Sequence, residues 1–368
     1  MPARVAAARP RVAFPVERFR LANGLRVVVS PDRSAPVVVV AVYYDVGFRS
    51  EPEGRTGFAH LFEHLMFEGS VHLEKMQHAR LVQGNGGEFN GSTAEDFTNY
   101  FEMLPSGALE LGLFLEADRM LGVRLNEETL ANQTAVVKEE IRVNVLNRPY
   151  GGFPWIHLPP VLFRTFNNAH NGYGSFVDLE AATIEDAAEF FERYYAPANA
   201  VLAVVGDADP DAVQGLVERH FGAVPSRPAP TLPGWWEPPP DSERRAVHDD
   251  ALAPAPALAV GYRVPDPVDA ILAGADDEIA AVADGVEPEE LERVVNAMSS
   301  SYLRRIDSRM YRALTVAALE QQRGQAELLN ELPTRWAEVT PAQVAAAAEQ
   351  CLVPRRRAVL EWRPSPGR

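Results

Sequence analysis

Residues 36–44 read Pro-Val-Val-Val-Val-Ala-Val-Tyr-Tyr, an uncharged run made almost wholly of β-branched and aromatic side chains. Such side chains fit a pleated surface. Apolar residues at both odd and even positions predict a strand covered on both faces, the centre of a sheet. Towards the N-terminus, Phe19-Arg20-Leu21 and Leu25-Arg26-Val27-Val28-Val29 flank Ala22-Asn23-Gly24. Asn-Gly between alternating runs predicts a hairpin. Towards the C-terminus, glycines and charges fill 46–57 and a helix begins near Phe58. A strand-like polar stretch over 86–100 follows, then helices over 106–121 and 127–147, the last stopped by Asn147-Arg148-Pro149-Tyr150-Gly151. Thr183 caps a further helix with Glu185 and Asp186 in its first turn. Residues 200–206 (AVLAVVG) form another buried strand, and 210–221 a helix.

Residues 225–240 read PSRPAPTLPGWWEPPP. Proline at that density continues neither helix nor sheet and predicts a semi-rigid spacer, with Trp235-Trp236 anchoring it to a domain. The expected organisation is a domain over 14–224, a Pro-rich linker over 225–247 and a shorter domain over 248–366. The second holds a strand near 255–262, helices over 287–330 and 341–351, and a last strand at 358–362. The class is α+β: two related domains, each a mostly antiparallel sheet with helices packed on one face, the second truncated.

The 368 residues are 46% hydrophobic, which fits a globular chain, and no apolar run is long enough to cross a bilayer. The first fifteen residues lack a continuous apolar core before a cleavage site, so they read as a short lead-in. Cys351 is the single cysteine, which excludes an intrachain disulfide and fits a cytoplasmic protein. A net charge of −16 argues against nucleic acid as partner.

The chemistry lies in His60-Leu61-Phe62-Glu63-His64, inside an apolar helical context. Residues four apart share a helix face, so His60 and His64 can offer two imidazoles to one tetrahedral zinc ion. Glu63, offset on the same side, can reach a water beside the metal as a general base. The order is inverted relative to the better-known His-Glu-x-x-His. A third ligand is expected as a carboxylate on the facing helix, which offers Glu139 and Glu140. Glu140 shares a face with Gln133, Val136 and Val137, where a carboxylate is costly unless paired or on a metal. Glu139 suits an exposed ion pair with Lys138 or Arg142.

The chain here resembles the pitrilysin or insulinase-type inverted zinc peptidases, in particular their mitochondrial-processing-peptidase-like branch. The similarity is carried by residues 57–67 (GFAHLFEHLMF), by Gly86-Gly87-Glu88-Phe89-Asn90, by Val136-Val137-Lys138-Glu139-Glu140, and by Tyr194-Tyr195-Ala196-Pro197-Ala198-Asn199. It implies His60, His64 and Glu140 as ligands of one Zn2+, Glu63 as base and Gln133 as a residue behind the ligands. It also implies that Phe89, Asn90, Gly91, Ser92 and Thr93 form an edge strand to which a peptide substrate adds.

One family element is missing. After Gly261-Tyr262-Arg263-Val264-Pro265 the family carries an arginine and a tyrosine that hold the substrate carbonyl. Here Gly285-Val286-Glu287-Pro288 follows within about twenty residues. Arg309-Met310-Tyr311-Arg312 lies in a later helix pair and does not inherit the role. The expectation is a zinc metalloendopeptidase acting on unfolded or precursor peptides, paired with a second family subunit that supplies the arginine and tyrosine. The alternative is a catalytically silent scaffold or assembly subunit. Among the other histidines, His157 and His170 sit in the 151–178 loop, which can line the chamber.

Overall fold

The structure, a computed structural model, describes residues 13–232, 234, 236–263, 285–353 and 356–364. Most of the expected lead-in, Trp235, the stretch 264–284 and the last residues of the shorter domain lie outside these. The first sheet has six strands in the order β1-β2-β6-β3-β5-β4. These are β1 (Glu17–Arg20), β2 (Arg26–Pro31), β3 (Val37–Tyr44), β4 (Glu88–Thr93), β5 (Thr98–Pro105) and β6 (Ala200–Gly206). Every pairing is antiparallel except β2 with β6. β3 sits between β6 and β5, with Val40 opposite Val204 on one side and Glu102 on the other.

Period-two alternation then sorts β3 into two cores. Val38, Val40, Val42 and Tyr44 face helices from the same half of the chain: α1 (Phe58–Leu65), α3 (Leu109–Leu121), α5 (Ile184–Tyr194) and α6 (Pro210–Phe221). Two other helices, α2 (Gln77–Gly84) and α4 (Glu127–Ile141), flank that layer, and α4 runs on as a π-helical turn over Arg142–Leu146. The capping predicted at Thr183 is present: its hydroxyl accepts from the Asp186 amide and the Asp186 carboxylate accepts from Thr183.

The other face, with Val39, Ala41 and Tyr43, packs on Ala313, Val316 and Ala317. These come from α8 (Arg309–Arg323), between α7 (Pro288–Asp307) and α9 (Leu328–Ala337). The second cover is therefore lent by the C-terminal part of the chain, an assignment the sequence reading did not make. Polar ties secure it. Arg309 and Arg312 donate to Asp32 at the end of β2, at 3.3 and 2.5 Å. Burial works against the Asp32 carboxylate, but hydrogen bonds from Ser34 and Arg312 hold it well below the usual range.

The second sheet is small: β7 (Arg244–Asp250), β9 (Arg357–Pro364) and β8 (Ala257–Tyr262), in that order. α10 (Pro341–Cys351) precedes β9. β7 was not foreseen, and the residues 244–247 read as spacer belong to it. The spacer is also tethered: Glu237 accepts from the Thr165 amide at 3.2 Å and from the Asn168 side chain at 2.9 Å.

Behind the β4–β5 edge lies a buried charge cluster. Arg119 donates to Glu102 at 3.0 Å and to Glu116, and its guanidinium lies 4.6 Å from the centre of the Tyr100 ring. His78 on α2 is buried with Nε2 3.0 Å from Glu102. Burial pushes the Glu116 carboxyl up to about 8, against Arg119 and with help from Glu102. A carboxyl raised on folding stays protonated in the folded chain after the unfolded chain has released its proton. Its contribution to stability is therefore fully present below pH 4.5 and lost as pH rises towards 8. We expect the denaturant midpoint to fall from pH 5 to pH 8, and to fall less in Glu116→Gln. Equal slopes in the two proteins would show that Glu116 is not the titrating group.

Candidate metal centre

α1 carries His60, Glu63 and His64, and α4 packs across it with Glu140. Leu61, Phe62 and Leu65 fix one face of α1 in the core, which leaves the two imidazoles on the other. α4 starts from a capping box in which Asn126 and Thr129 satisfy each other's backbone amides. It buries Leu130, Val137 and Ile141. Val136, expected beside Glu140 on the buried face, is instead 42% exposed. Glu139 points outward and pairs with Arg142 at 3.1 Å, as expected of the alternative carboxylate.

Glu140 Oε2 lies 3.6 Å from His60 Nε2 and 3.4 Å from His64 Nε2. A tetrahedral zinc with bonds of roughly 2.0–2.2 Å sets its ligand atoms about 3.3–3.6 Å apart. The observed spacing matches those edges and is long for direct hydrogen bonds. Among the described residues this is the one group of three or more histidine and acidic side chains whose donor atoms converge within 4.8 Å. Burial, abetted by His64 and opposed by Glu140, lowers His60 to about 4. Its imidazole is therefore neutral at pH 7, the form that binds metal. The donor set fits zinc.

Glu63 stands beside the triad. The Thr93 hydroxyl donates to its Oε2 at 2.7 Å, and burial raises its pKa despite that bond. β4 runs close by: a Cβ on Gly91 would sit 3.2 Å from Glu63 Cγ and 3.2 Å from the Tyr100 ring. Among the described residues β4 is the last strand of the sheet and pairs with β5 alone, which leaves its outer edge open. Asn90 and Ser92 are exposed, and the Ser92 hydroxyl donates to Asn99 at 2.6 Å. The Phe89 side chain does not reach the site. It packs on Phe67 and His78, with ring centres 5.4 and 5.5 Å away. Gln133 is buried on α4, but its amide donates to Glu68 at 2.8 Å, past the C-terminal end of α1.

His60, Glu63 and Thr93 form one wall of an open cavity of about 1060 Å³. Phe163, Tyr173, Trp236 and Tyr262 also line it. Both arginines that line it are engaged. Arg49 binds Asp96 at 3.0 Å, and Arg263 donates to the Pro238 and Glu237 carbonyls at 2.6 and 3.3 Å. Arg309 and Arg312 lie behind the sheet at Asp32 and have no part in the cavity. Sequence reasoning missed Glu51, which packs at the start of α1, and Tyr173, whose ring stands edge-on to His60 with centres 5.5 Å apart. No spacing pattern marks either residue.

Comparison with known proteins bears on the whole arrangement. Residues 26–149, which hold His60, Glu63, His64 and Glu140, match the model of the insulinase family (peptidase family M16). Residues 181–277 match that of the peptidase M16 inactive domain. The zinc protease PqqE of Helicobacter pylori is 34% identical over 260 residues, 68% of this chain and 56% of that protein. The chain spans about half the length of the curated relatives it matches. Among solved structures, a protease from Helicobacter pylori superposes with a TM-score of 0.89 at 22% identity, covering 96% of this chain and all of that one. An M16-like peptidase from Alicyclobacillus acidocaldarius gives 0.83 at 17% identity, over 97% of this chain and 100% of that one. These two likenesses establish the fold, and with the two model matches the chain belongs to the insulinase family of peptidases, family M16.

Proposed function

We propose that the chain is a zinc metalloendopeptidase of extended peptides. The observation that carries this reading is the convergence of His60, His64 and Glu140 at zinc-ligand spacing, with Glu63 beside them and an open strand edge alongside. His60, His64 and Glu140 hold the ion, and Gln133 steadies α4 through Glu68. Zinc held there would supply Lewis acidity towards a scissile carbonyl and make a neighbouring water more acidic. Glu63 takes the proton of the attacking water and passes it to the leaving amine. Peptide residues pair with the outer edge of β4 between Phe89 and Thr93, which suits unfolded or precursor peptides, whose backbone groups are free to pair.

In acyl transfer, stabilising the oxyanion commonly lowers the barrier more than any other single effect, and loss of one donor costs roughly a hundredfold or more. Both cavity arginines are committed to other partners, which supports a second family subunit as the source of that donor. We place the chain in the cytoplasm, on its single cysteine, which is buried. No helix among the described residues is long and apolar enough to cross a membrane. The engaged arginines also favour a second reading, a silent assembly subunit of the same fold.

The test is metal analysis with peptide cleavage, alone and with the candidate partner. The proposal expects one zinc per chain, lost in Glu140→Ala, and cleavage that the partner raises at least tenfold. One zinc without cleavage in either state would establish the silent subunit. Full activity of the isolated chain would remove the partner.

A further inference from the structure

The first turn of α1 holds His60, and something must hold the first turn. Its amides find no cap in their own sequence: Gly57 precedes the helix at φ +87° and offers no side chain. The cap comes from Glu51, which is fully buried. Its Oε2 accepts from the Gly57 amide at 2.9 Å and its Oε1 from the Ala59 amide at 2.8 Å. A carboxylate there also meets the positive end of the helix.

Glu51 is held in turn by His170. His170 Nε2 lies 2.6 Å from the Phe48 carbonyl and 3.2 Å from Glu51 Oε2, and Nδ1 lies 2.9 Å from the Phe166 carbonyl. Carbonyl oxygens only accept, so both ring nitrogens donate and His170 is an imidazolium. Burial opposes that charge, but Glu51 and the two carbonyls raise the pKa above its ordinary value. The imidazolium stacks on Phe166 at 4.5 Å.

The chain after His170 then wraps the same turn. The Asp178 carboxylate accepts from the Thr56 amide at 3.0 Å, and the Ser175 amide donates to the Thr56 hydroxyl at 3.0 Å. A Cβ on Gly57 would meet the Tyr173 carbonyl at 2.8 Å, and one on Gly174 (φ +68°) would meet the Thr56 backbone at 2.3 Å. Two glycines let the two backbones touch.

We infer that Glu51 and His170 are positioning residues for the metal centre: their buried ion pair sets the first turn of α1, and so the placement of His60 against His64 and Glu140. The inference rests on the zinc reading above. It explains why a helix of only eight residues can hold two ligands in register. Designed sites need ligands held to about half an ångström.

The test uses the full chain with Glu51→Gln and His170→Gln, compared with wild type and Glu140→Ala. Zinc affinity is read by chelator competition, ligand geometry by the visible spectrum of the cobalt-substituted protein, and folding by the melt of the metal-free protein. Glu51→Gln keeps one acceptor and loses the charge; His170→Gln loses the cation. Each is expected to weaken zinc about tenfold or more, the loss typical of groups that orient ligands. The cobalt spectrum is expected to shift, and kcat to fall with KM changed less than about twofold. Variants that fold, melt lower and yet bind zinc and cobalt as wild type does would reduce the pair to a structural role and overturn the inference. Should Glu51→Gln fail to fold, His170→Gln at its less buried position decides by the same readouts. A wild type without zinc, or Glu140→Ala with wild-type affinity, would instead remove the zinc reading itself.

Discussion

Glu63→Gln is expected to keep its zinc and to lose peptide hydrolysis by a factor of about 10² to 10⁴, the range for removal of a positioned general base. The substitution is nearly isosteric. Glutamine retains an oxygen that can accept from Thr93, now 2.7 Å from Glu63. The close passage of β4 at Gly91 leaves the new amide little room to turn. The three ligand atoms belong to other side chains, so the metal stays. What disappears, on the proposed mechanism, is the atom that accepts the proton. The measurement is zinc per chain beside initial cleavage rates, in whatever pairing gives the wild type its activity. Loss of metal along with the rate would make Glu63 structural, and an unchanged rate would sink the mechanism.

Arg119→Met is expected to be the most destabilising single change, about 3–5 kcal/mol, the cost of stranding buried charge by removing its partner. Arg119, Glu102 and Glu116 are all essentially inaccessible to solvent. Without the guanidinium, Glu102 keeps beside it His78, whose positive charge burial still opposes, and the carboxyl of Glu116. Methionine also vacates the contact with the Tyr100 and Phe67 rings. Guanidinium unfolding at pH 7 reads the loss. A drop below about 1 kcal/mol would mean that the two carboxyls share a proton and need no cation, unlike the stranded charges of broken pairs.

How much of this was legible follows from what each residue says about its own surroundings. The valines of 36–44 announced a doubly covered strand, because no face of that strand tolerates water. They could not name the second cover. Ala313, Val316 and Ala317 are small apolar residues about 270 positions away, and nothing in them specifies β3 as partner. His60, Glu63 and His64 were legible because helical spacing alone brings them together, and Glu140 because a carboxylate on an apolar face needs a cation. Val136 misled that argument slightly, since α4 is rotated enough to expose it. β7 escaped notice because Arg244–Asp250 (RRAVHDD) carries its charge on both faces, and it is held by its neighbour β9 rather than by its own pattern. His170 was noted as a residue of the chamber loop, but Glu51 and the tie between the two were hidden for a plainer reason: they lie 119 residues apart, and neither belongs to a periodic run.

The open edge of β4 is also a hazard for the protein itself. An unpaired strand edge is a template for any other chain, including another copy, and exposed edges are common starting points of aggregation. β4 is a poor template for self-assembly. It is six residues long, its exposed positions are Glu88, Asn90 and Ser92, and a glycine interrupts its middle. Short polar edges with a central glycine pair weakly unless something else holds the incoming chain. If peptides add at this edge as proposed, binding is conditional: a passing strand would gain too little from β4 alone to stay, and only a chain whose carbonyl also engages the neighbouring site would be retained. Selectivity against self-association and selectivity for cleavable chains would then be one property of the same six residues.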